Sequence, residues 1–187
     1  MKKILILSIL LVSAFVYADE LHVSTANPVF VVAPDQWKVA KYNPPDNPSP
    51  LEAYQISPPS GRNAAILFSI FDKSKPEFAD PEFLKKVLRG TFLVYVSSPA
   101  DADKVEIKAL NIKSGLGFYA NFIDPDLVGK PVEIGNYKTS TSAVVSLGSK
   151  YMVVITVLCD QINGADYRDA INIIETIKIK QPDPDKS

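Results

Sequence analysis

His22 and Cys159 are the only imidazole and the only thiol in the chain, and nucleophilic or zinc chemistry usually starts from one or the other. A Ser–His–Asp or Cys–His pair needs an imidazole held rigidly beside its nucleophile. His22 stands close to the start of the chain, where a solvated terminal residue is expected. One His and one Cys also leave no zinc site built from those ligands. No G-x-S-x-G elbow and no phosphate-binding P-loop occurs. Gly115-x-Gly117 has the opening of a dinucleotide fingerprint, but predicted strands flank it. Without a helix N-terminus to receive a pyrophosphate it reads as a hairpin element. Asp124-Pro125-Asp126 offers two carboxylates, whereas Ca²⁺ takes about six to eight oxygens and no Asp/Asn/Gly rhythm follows. A loop turn is the better reading there, and Asp101 and Asp103 form a similar solvated run. Distant acids can still meet in a fold as a glycosidase-type pair, so a carboxylate-based hydrolase stays open as the least favoured function. The expectation is no catalytic residue, no metal and no cofactor.

Residues suited to recognition are easier to find. Loops carry binding more often than cores do, and Tyr and Arg are favoured interface anchors. Arg62 lies in the turn Pro58-Pro59-Ser60-Gly61-Arg62-Asn63. Lys130, Tyr137 and Lys138 lie in or just after the loop from Asp124 to Asn136. With Tyr119 on a neighbouring strand, read either as packing or as a pocket wall, these five are the candidate binding residues; plain solvated loop is their alternative reading. Trp37 follows a turn and reads as core packing rather than as a ligand. Cys159, at the end of an apolar strand, reads as a small buried apolar residue, with a reactive thiol as the alternative. As the only cysteine it cannot form an intramolecular disulfide.

The elements that position these residues follow from periodicity. Asp80-Pro81-Glu82 opens a helix, with Asp as N-cap, Pro at the first position and an acid in the first turn. Phe83, Leu84, Val87, Leu88, Thr91 and Tyr95 keep the i, i+3, i+4, i+7 rhythm of a buried face. Asp166 is the predicted cap of a second helix with Tyr167, Ala170, Ile171, Ile174 and Ile177 inward. Strands are predicted over 29–32, 37–41, 51–57, 64–72, 105–112, 115–123, 137–147 and 150–159. A two-residue Gly148-Ser149 hairpin joins the last two. Met152–Leu158 is apolar on both faces, so its strand belongs at the centre of a sheet covered on both sides. The order is four strands, helix, four strands, helix. Hairpins dominate it, giving an α+β fold, a single mainly antiparallel sheet with two principal helices packed on it.

The ends and the linker are compositional. Met1-Lys2-Lys3, the run Ile4–Val16 interrupted only by Ser8 and Ser13, and Val16-Tyr17-Ala18 before Asp19 form a secretory signal with its peptidase site. The run would span roughly 20 Å as a helix, short of the ~30 Å hydrocarbon core. Cleavage is expected between Ala18 and Asp19, and the address is periplasmic or secreted. No Cys stands at the cleavage point for a lipid anchor, and no transmembrane segment is predicted in the mature chain. Residues 19–187 read as one domain. Six of the fifteen prolines fall between Asn43 and Pro59, which makes 43–50 a stiff surface connection; 181–187 is a frayed tail. The whole chain carries a formal charge of −1 and lacks the basic excess of a nucleic-acid binder.

One known architecture has these features in this order. An early strand ends in Pro34-x-x-Trp37, and an amphipathic helix divides two antiparallel halves. Gly117-x-Tyr119, the loop Asp124-Pro125-x-Leu127-Val128-Gly129-Lys130, the strand start Tyr137-Lys138-Thr139 and a closing hairpin and helix follow. The sequence resembles the PsbP-like family over nearly all of the mature chain, by order of elements more than by motif. That fold is shared by a lumenal photosystem subunit, a nuclear Ran-binding factor and many exported bacterial proteins of unassigned role. The resemblance implies a protein that binds other proteins rather than an enzyme. The expected function is therefore an exported, non-catalytic protein-binding module: an immunity protein or inhibitor, or an envelope assembly factor. A small-molecule or lipid-binding periplasmic protein is the alternative.

Overall fold

In the computed structural model, residues 18–24, 28–42, 52–96 and 98–180 are described. The expected signal segment (all but Ala18), the Pro-rich connection 43–50 and the tail 181–187 lie outside them. Along the chain come β1 (Ala18–His22), β2 (Val29–Pro34), β3 (Lys38–Tyr42), β4 (Glu52–Ser57), β5 (Ala64–Asp72), α1 (Pro81–Thr91) and the short α2 (Pro99–Ala102). Then follow β6 (Lys108–Ala109), β7 (Leu116–Ile123), β8 (Thr139–Leu147), β9 (Tyr151–Cys159), α3 (Ala165–Glu175) and β10 (Lys178–Ile179). Hairpin register builds a seven-stranded antiparallel sheet in the order β3-β4-β5-β9-β8-β7-β6. The apolar run Met152–Leu158 lies at its centre, paired with β5 on one side and β8 on the other.

Period-2 alternation sends the side chains of this sheet into two separate cores. On one face Phe68, Val145, Ile155 and Val157 meet Val29 and Val31 of β2 and Ala170, Ile173 and Ile174 of α3. On the other, Ala120, Val144 and Met152 meet Leu84 and Leu88 of α1, with Phe92 just beyond the helix. Asp80 accepts a hydrogen bond from the backbone N–H of Glu82 at 2.9 Å, with Pro81 at the first position, so α1 starts where its cap residue puts it.

The structure corrects several sequence expectations. The sheet is not alone: β1, β2 and β10 form a second, three-stranded antiparallel sheet that shares the α3-side core. β1 and β10 were not expected, because Ala18–His22 has no run of apolar residues and Lys178–Ile179 is only two residues long. The chain passes from the small sheet to the large one at Pro34–Trp37. There the backbone N–H of Trp37 donates to the Pro34 carbonyl, and the indole is buried. The expected strand 105–112 shrinks to Lys108–Ala109. Leu110 and Ile112 instead fold over Gly117, where a Cβ would come within 2.9 Å of Ile112 Cγ1 and 3.0 Å of Leu110 Cβ. The first helix stops at Thr91, and Tyr95, expected on its buried face, sits 45% exposed in a 3-10 turn. Asp166 is not the cap of α3. Gly164 is the N-cap, Asp166 lies in the first turn, and Ile173 rather than Ile171 is fully buried. Leu147 pairs with Tyr151, so the β8–β9 connection has three residues, Gly148 to Lys150, rather than two.

Ile173, Ile174 and Ile177 all stand at 1% exposure or less, and each such side chain contributes about 1.5–3 kcal/mol by burial. An unpaired carboxylate placed there costs about 4 kcal/mol or more, against a net stability of about 5–15 kcal/mol. Ile174→Asp is expected to abolish the cooperative thermal melt; a transition near that of the wild type would contradict this packing.

Candidate functional site

β7 and β8 part at Ile123 and Thr139, and the chain between them forms the longest irregular surface segment among the described residues. Its roots are closed. The Asp124 backbone N–H donates to the Lys138 carbonyl at 2.8 Å. The Asp124 carboxylate accepts from the Asp126 N–H at 2.9 Å and opens a 3-10 turn over Pro125–Leu127. The far side is held by Asn63. Its Oδ1 accepts from the Gly135 N–H at 2.9 Å, and its Nδ2 donates to the Asn136 carbonyl and to Asp160 Oδ1, each at 2.8 Å. Two turns within the segment use Gly129 and Gly135 at φ +73° and +96°, a conformation glycine adopts without a steric cost. This anchored loop nevertheless turns Val128 (63% exposed) and Ile134 (76% exposed) to solvent, and the adjoining end of β7 does the same with Ile123.

Below the loop the sheet end opens into a cleft of about 400 Å³. Its floor is one row across three strands. Phe122 pairs with Ser140 and Ser140 with Leu158, which puts all three side chains on the α1 face. α1 ends at the edge of this row, where its C-cap Phe92 sets its ring 5.0 Å from that of Phe122. The 3-10 turn Leu93–Tyr95 takes over and lays the Tyr95 ring on that of Phe122, centroids 5.1 Å apart. Ile123 and Pro125 complete the apolar wall, and Asp124, Tyr137 and Lys138 form the polar lining. Burial, then the nearby Asp160 carboxylate, pushes the Tyr137 phenol above its ordinary pKa and keeps it a proton donor. Ser140 Oγ is buried without a hydrogen-bond partner among the described residues, a state that costs a hydroxyl about 1–3 kcal/mol.

The five candidate residues fall in different places. Tyr137 and Lys138 line the cleft. Lys130 is exposed on the loop above it. Tyr119 lies on the opposite face of β7, partly buried against the α3-side core. Arg62 is also on the α3 side. Its Nε donates to Asp166 at 2.6 Å and its Nη2 to Asp169 at 2.7 Å, while its guanidinium lies 5.4 Å from the centre of the Trp37 ring. Tyr95, Phe122, Ile123, Ser140 and Leu158 were not identified from sequence as site residues. Alternation places each on a face, but only the register between strands brings Phe122, Ser140 and Leu158 into one row.

Other groups with chemical potential are occupied internally. Burial pushes the Cys159 thiol up, and its sulfur sits 3.1 Å from Thr139 Oγ1, so thiolate character is disfavoured. His22 is exposed, with its ring edge against Phe30. Among the described residues no group of three or more His, Cys, Asp or Glu could hold a metal ion. A second groove, of about 460 Å³ beside the C-terminal end of α3, is lined by Lys113, Glu175 and Lys178. There Glu175 already accepts from the Asn111 N–H, and Lys178 pairs with Glu20 at 2.6 Å.

Arg62 ties the turn before β5 to α3. Its ion pairs are about one-third exposed and screened accordingly. With the stacking on Trp37, Arg62→Ala is expected to cost about 1–2 kcal/mol. That corresponds to a thermal midpoint roughly 2–8 °C lower for a chain of this size; an unchanged midpoint would show that the pairs contribute nothing.

No protein-family profile matches the sequence, and no curated protein matches it. Solved structures do. The solution structure of cyanobacterial PsbP (CyanoP) from Synechocystis sp. PCC 6803 superposes with a TM-score of 0.55 at 11% identity, over 90% of this chain and 95% of that one. A crystal structure from Bacteroides thetaiotaomicron VPI-5482 gives a TM-score of 0.51 at 10% identity over 86% of this chain. The match spans about half, 48%, of the length of the Bacteroides protein. No helix among the described residues is long and apolar enough to cross a membrane. Superposition over nine-tenths of this chain at that TM-score shows the fold: the chain has the PsbP-like α+β fold.

Proposed function

We propose that this chain is an exported, non-catalytic module that binds another protein of the cell envelope through the 124–138 loop. The observation that carries the reading is a loop fixed at both roots that still holds Val128 and Ile134 in solvent. An ordered loop loses little conformational freedom on binding, and exposed apolar side chains on it are the kind of surface a partner covers. Lys130 and Tyr137 flank them and supply the polar rim of such an interface. Export rests on the positive start, the apolar run and the Val16-Tyr17-Ala18 site. An immunity protein or inhibitor and an assembly factor both fit this chemistry. The first binds a soluble enzyme, the second a membrane-associated complex.

Two measurements test the reading. Expressed with its leader in a Gram-negative host, the protein recovered from the periplasm is expected to have an intact mass starting at Asp19; retention of residues 1–18 would refute export by cleavage. A partner captured from envelope extract by the tagged protein is expected to be lost with Val128→Asp/Ile134→Asp, at an unchanged thermal midpoint, because neither side chain is in a core. The same partner bound equally well by the double variant would overturn the loop assignment.

A further inference from the structure

The cleft beneath the loop has a chemistry of its own. Its walls are apolar (Tyr95, Phe122, Ile123, Leu158), and its volume of about 400 Å³ lies within the range of roughly 300–1,000 Å³ typical of small-ligand sites. Its polar groups are unevenly used. Asp124, the only acid in the lining, already accepts from the Asp126 N–H. Among the described residues Lys138, half-buried, has no carboxylate partner for its ammonium, and Ser140 Oγ, in a residue 8% exposed, has no hydrogen-bond partner. A cation and an unused hydroxyl thus stand beside an apolar trough.

We propose that the cleft binds a small anionic amphiphile, a medium-length unbranched alkyl chain ending in a carboxylate. The alkyl chain lies over Phe122 and Leu158 beside Tyr95, and the carboxylate meets Lys138 Nζ and the Ser140 hydroxyl. Charge-assisted hydrogen bonds of this kind are about twice as strong as neutral ones. The cation therefore selects an acid over an alcohol of the same length. This goes beyond the protein-binding reading and is tested at Lys138 and Ser140 rather than at Val128 and Ile134, so each can fail without the other.

The probes are dodecanoate and dodecanol, titrated calorimetrically into the purified protein below their micellar or solubility limits. The expected result is saturable binding of one dodecanoate per chain, with dodecanol at least tenfold weaker. Lys138→Met is expected to weaken dodecanoate at least tenfold while leaving dodecanol unchanged. Ser140→Ala should weaken dodecanoate several-fold without changing the fold, and Tyr95→Asp, at a residue 45% exposed, should weaken both ligands. Val128→Asp/Ile134→Asp should leave dodecanoate binding intact. Absence of saturable one-to-one binding, or equal affinity of wild type and Lys138→Met for dodecanoate, overturns the proposal. Binding of several dodecanoate molecules per chain, insensitive to every one of these substitutions, is surfactant adsorption and overturns it as well.

Discussion

β8 is buried along all nine residues, and five of those residues carry hydroxyls: Thr139, Ser140, Thr141, Ser142 and Ser146. The rest of the structure is arranged around that constraint. Backbone groups are satisfied by β7 on one side and β9 on the other, but a buried hydroxyl must find an acceptor of its own or remain a cost. Thr139 donates to the Cys159 carbonyl at 2.8 Å, Thr141 to Asn121 Oδ1 at 2.7 Å and Ser146 to the Gly148 carbonyl at 2.7 Å. Asn121 also accepts from the Tyr167 hydroxyl at 3.2 Å, so the same polar node that satisfies the central strand pins α3 to the sheet. Small side chains on β8 and β7 let neighbouring backbone come close. At Gly115 a Cβ would stand 1.9 Å from the Ser146 carbonyl oxygen, which admits no other residue without moving the strand.

The two faces of the large sheet are covered unequally, and the cleft follows from that inequality. On one face α3 and the small sheet form a continuous second layer. On the other, α1 is eleven residues long, about 16 Å at the helical rise. It packs on β7 and β8 over Phe118, Ala120 and Val144. The eight residues of β7 reach about 27 Å at the strand rise. A helix of that length does not cover the strand to its end. The Phe122–Ser140–Leu158 row lies at the end of the helix, where Phe92, the C-cap, packs on Phe122 with ring centroids 5.0 Å apart, and Tyr95 and the edge of the loop roof the rest.

Local signals in the sequence were enough for α1, β5, β9 and the antiparallel pairing, because caps, alternation and two-sided apolar runs act within a few residues of one another. They failed where partners are distant. Asp166 has the residue type of an N-cap, but its carboxylate is taken by Arg62, 104 positions away, and Gly164 begins the helix instead. Ala18–His22 has no strand pattern of its own and becomes one because β2 offers an edge. Tyr95 continues the helical rhythm past Thr91, but Phe92 adopts φ −104° and ψ 8° and ends the helix. The ring then stacks on Phe122 from outside. Of the cleft, Tyr137 and Lys138 were legible because loop position and residue type alone point to them. Its floor was not, since a serine, a phenylalanine and a leucine on three strands acquire a shared meaning only through register.

Polar pairing also separates the scaffold from the proposed recognition surface. On the α3 side several polar groups face internal partners: Arg62 with Asp166 and Asp169, Asn121 with Thr141 and Tyr167, Thr176 with both backbone groups of Val32. Trp37 Nε1 is buried there without a partner among the described residues, though its ring faces the Arg62 guanidinium. A ligand arriving on that side would have to break contacts before making any. At the sheet end, Ser140 loses nothing by accepting a new partner, and Lys138 has no carboxylate to give up. The difference in free energy between the two surfaces therefore comes less from what each offers than from what each already holds. On that argument the proposed recognition surface belongs at the sheet end rather than on the α3 side, where Arg62 is already held by Asp166 and Asp169.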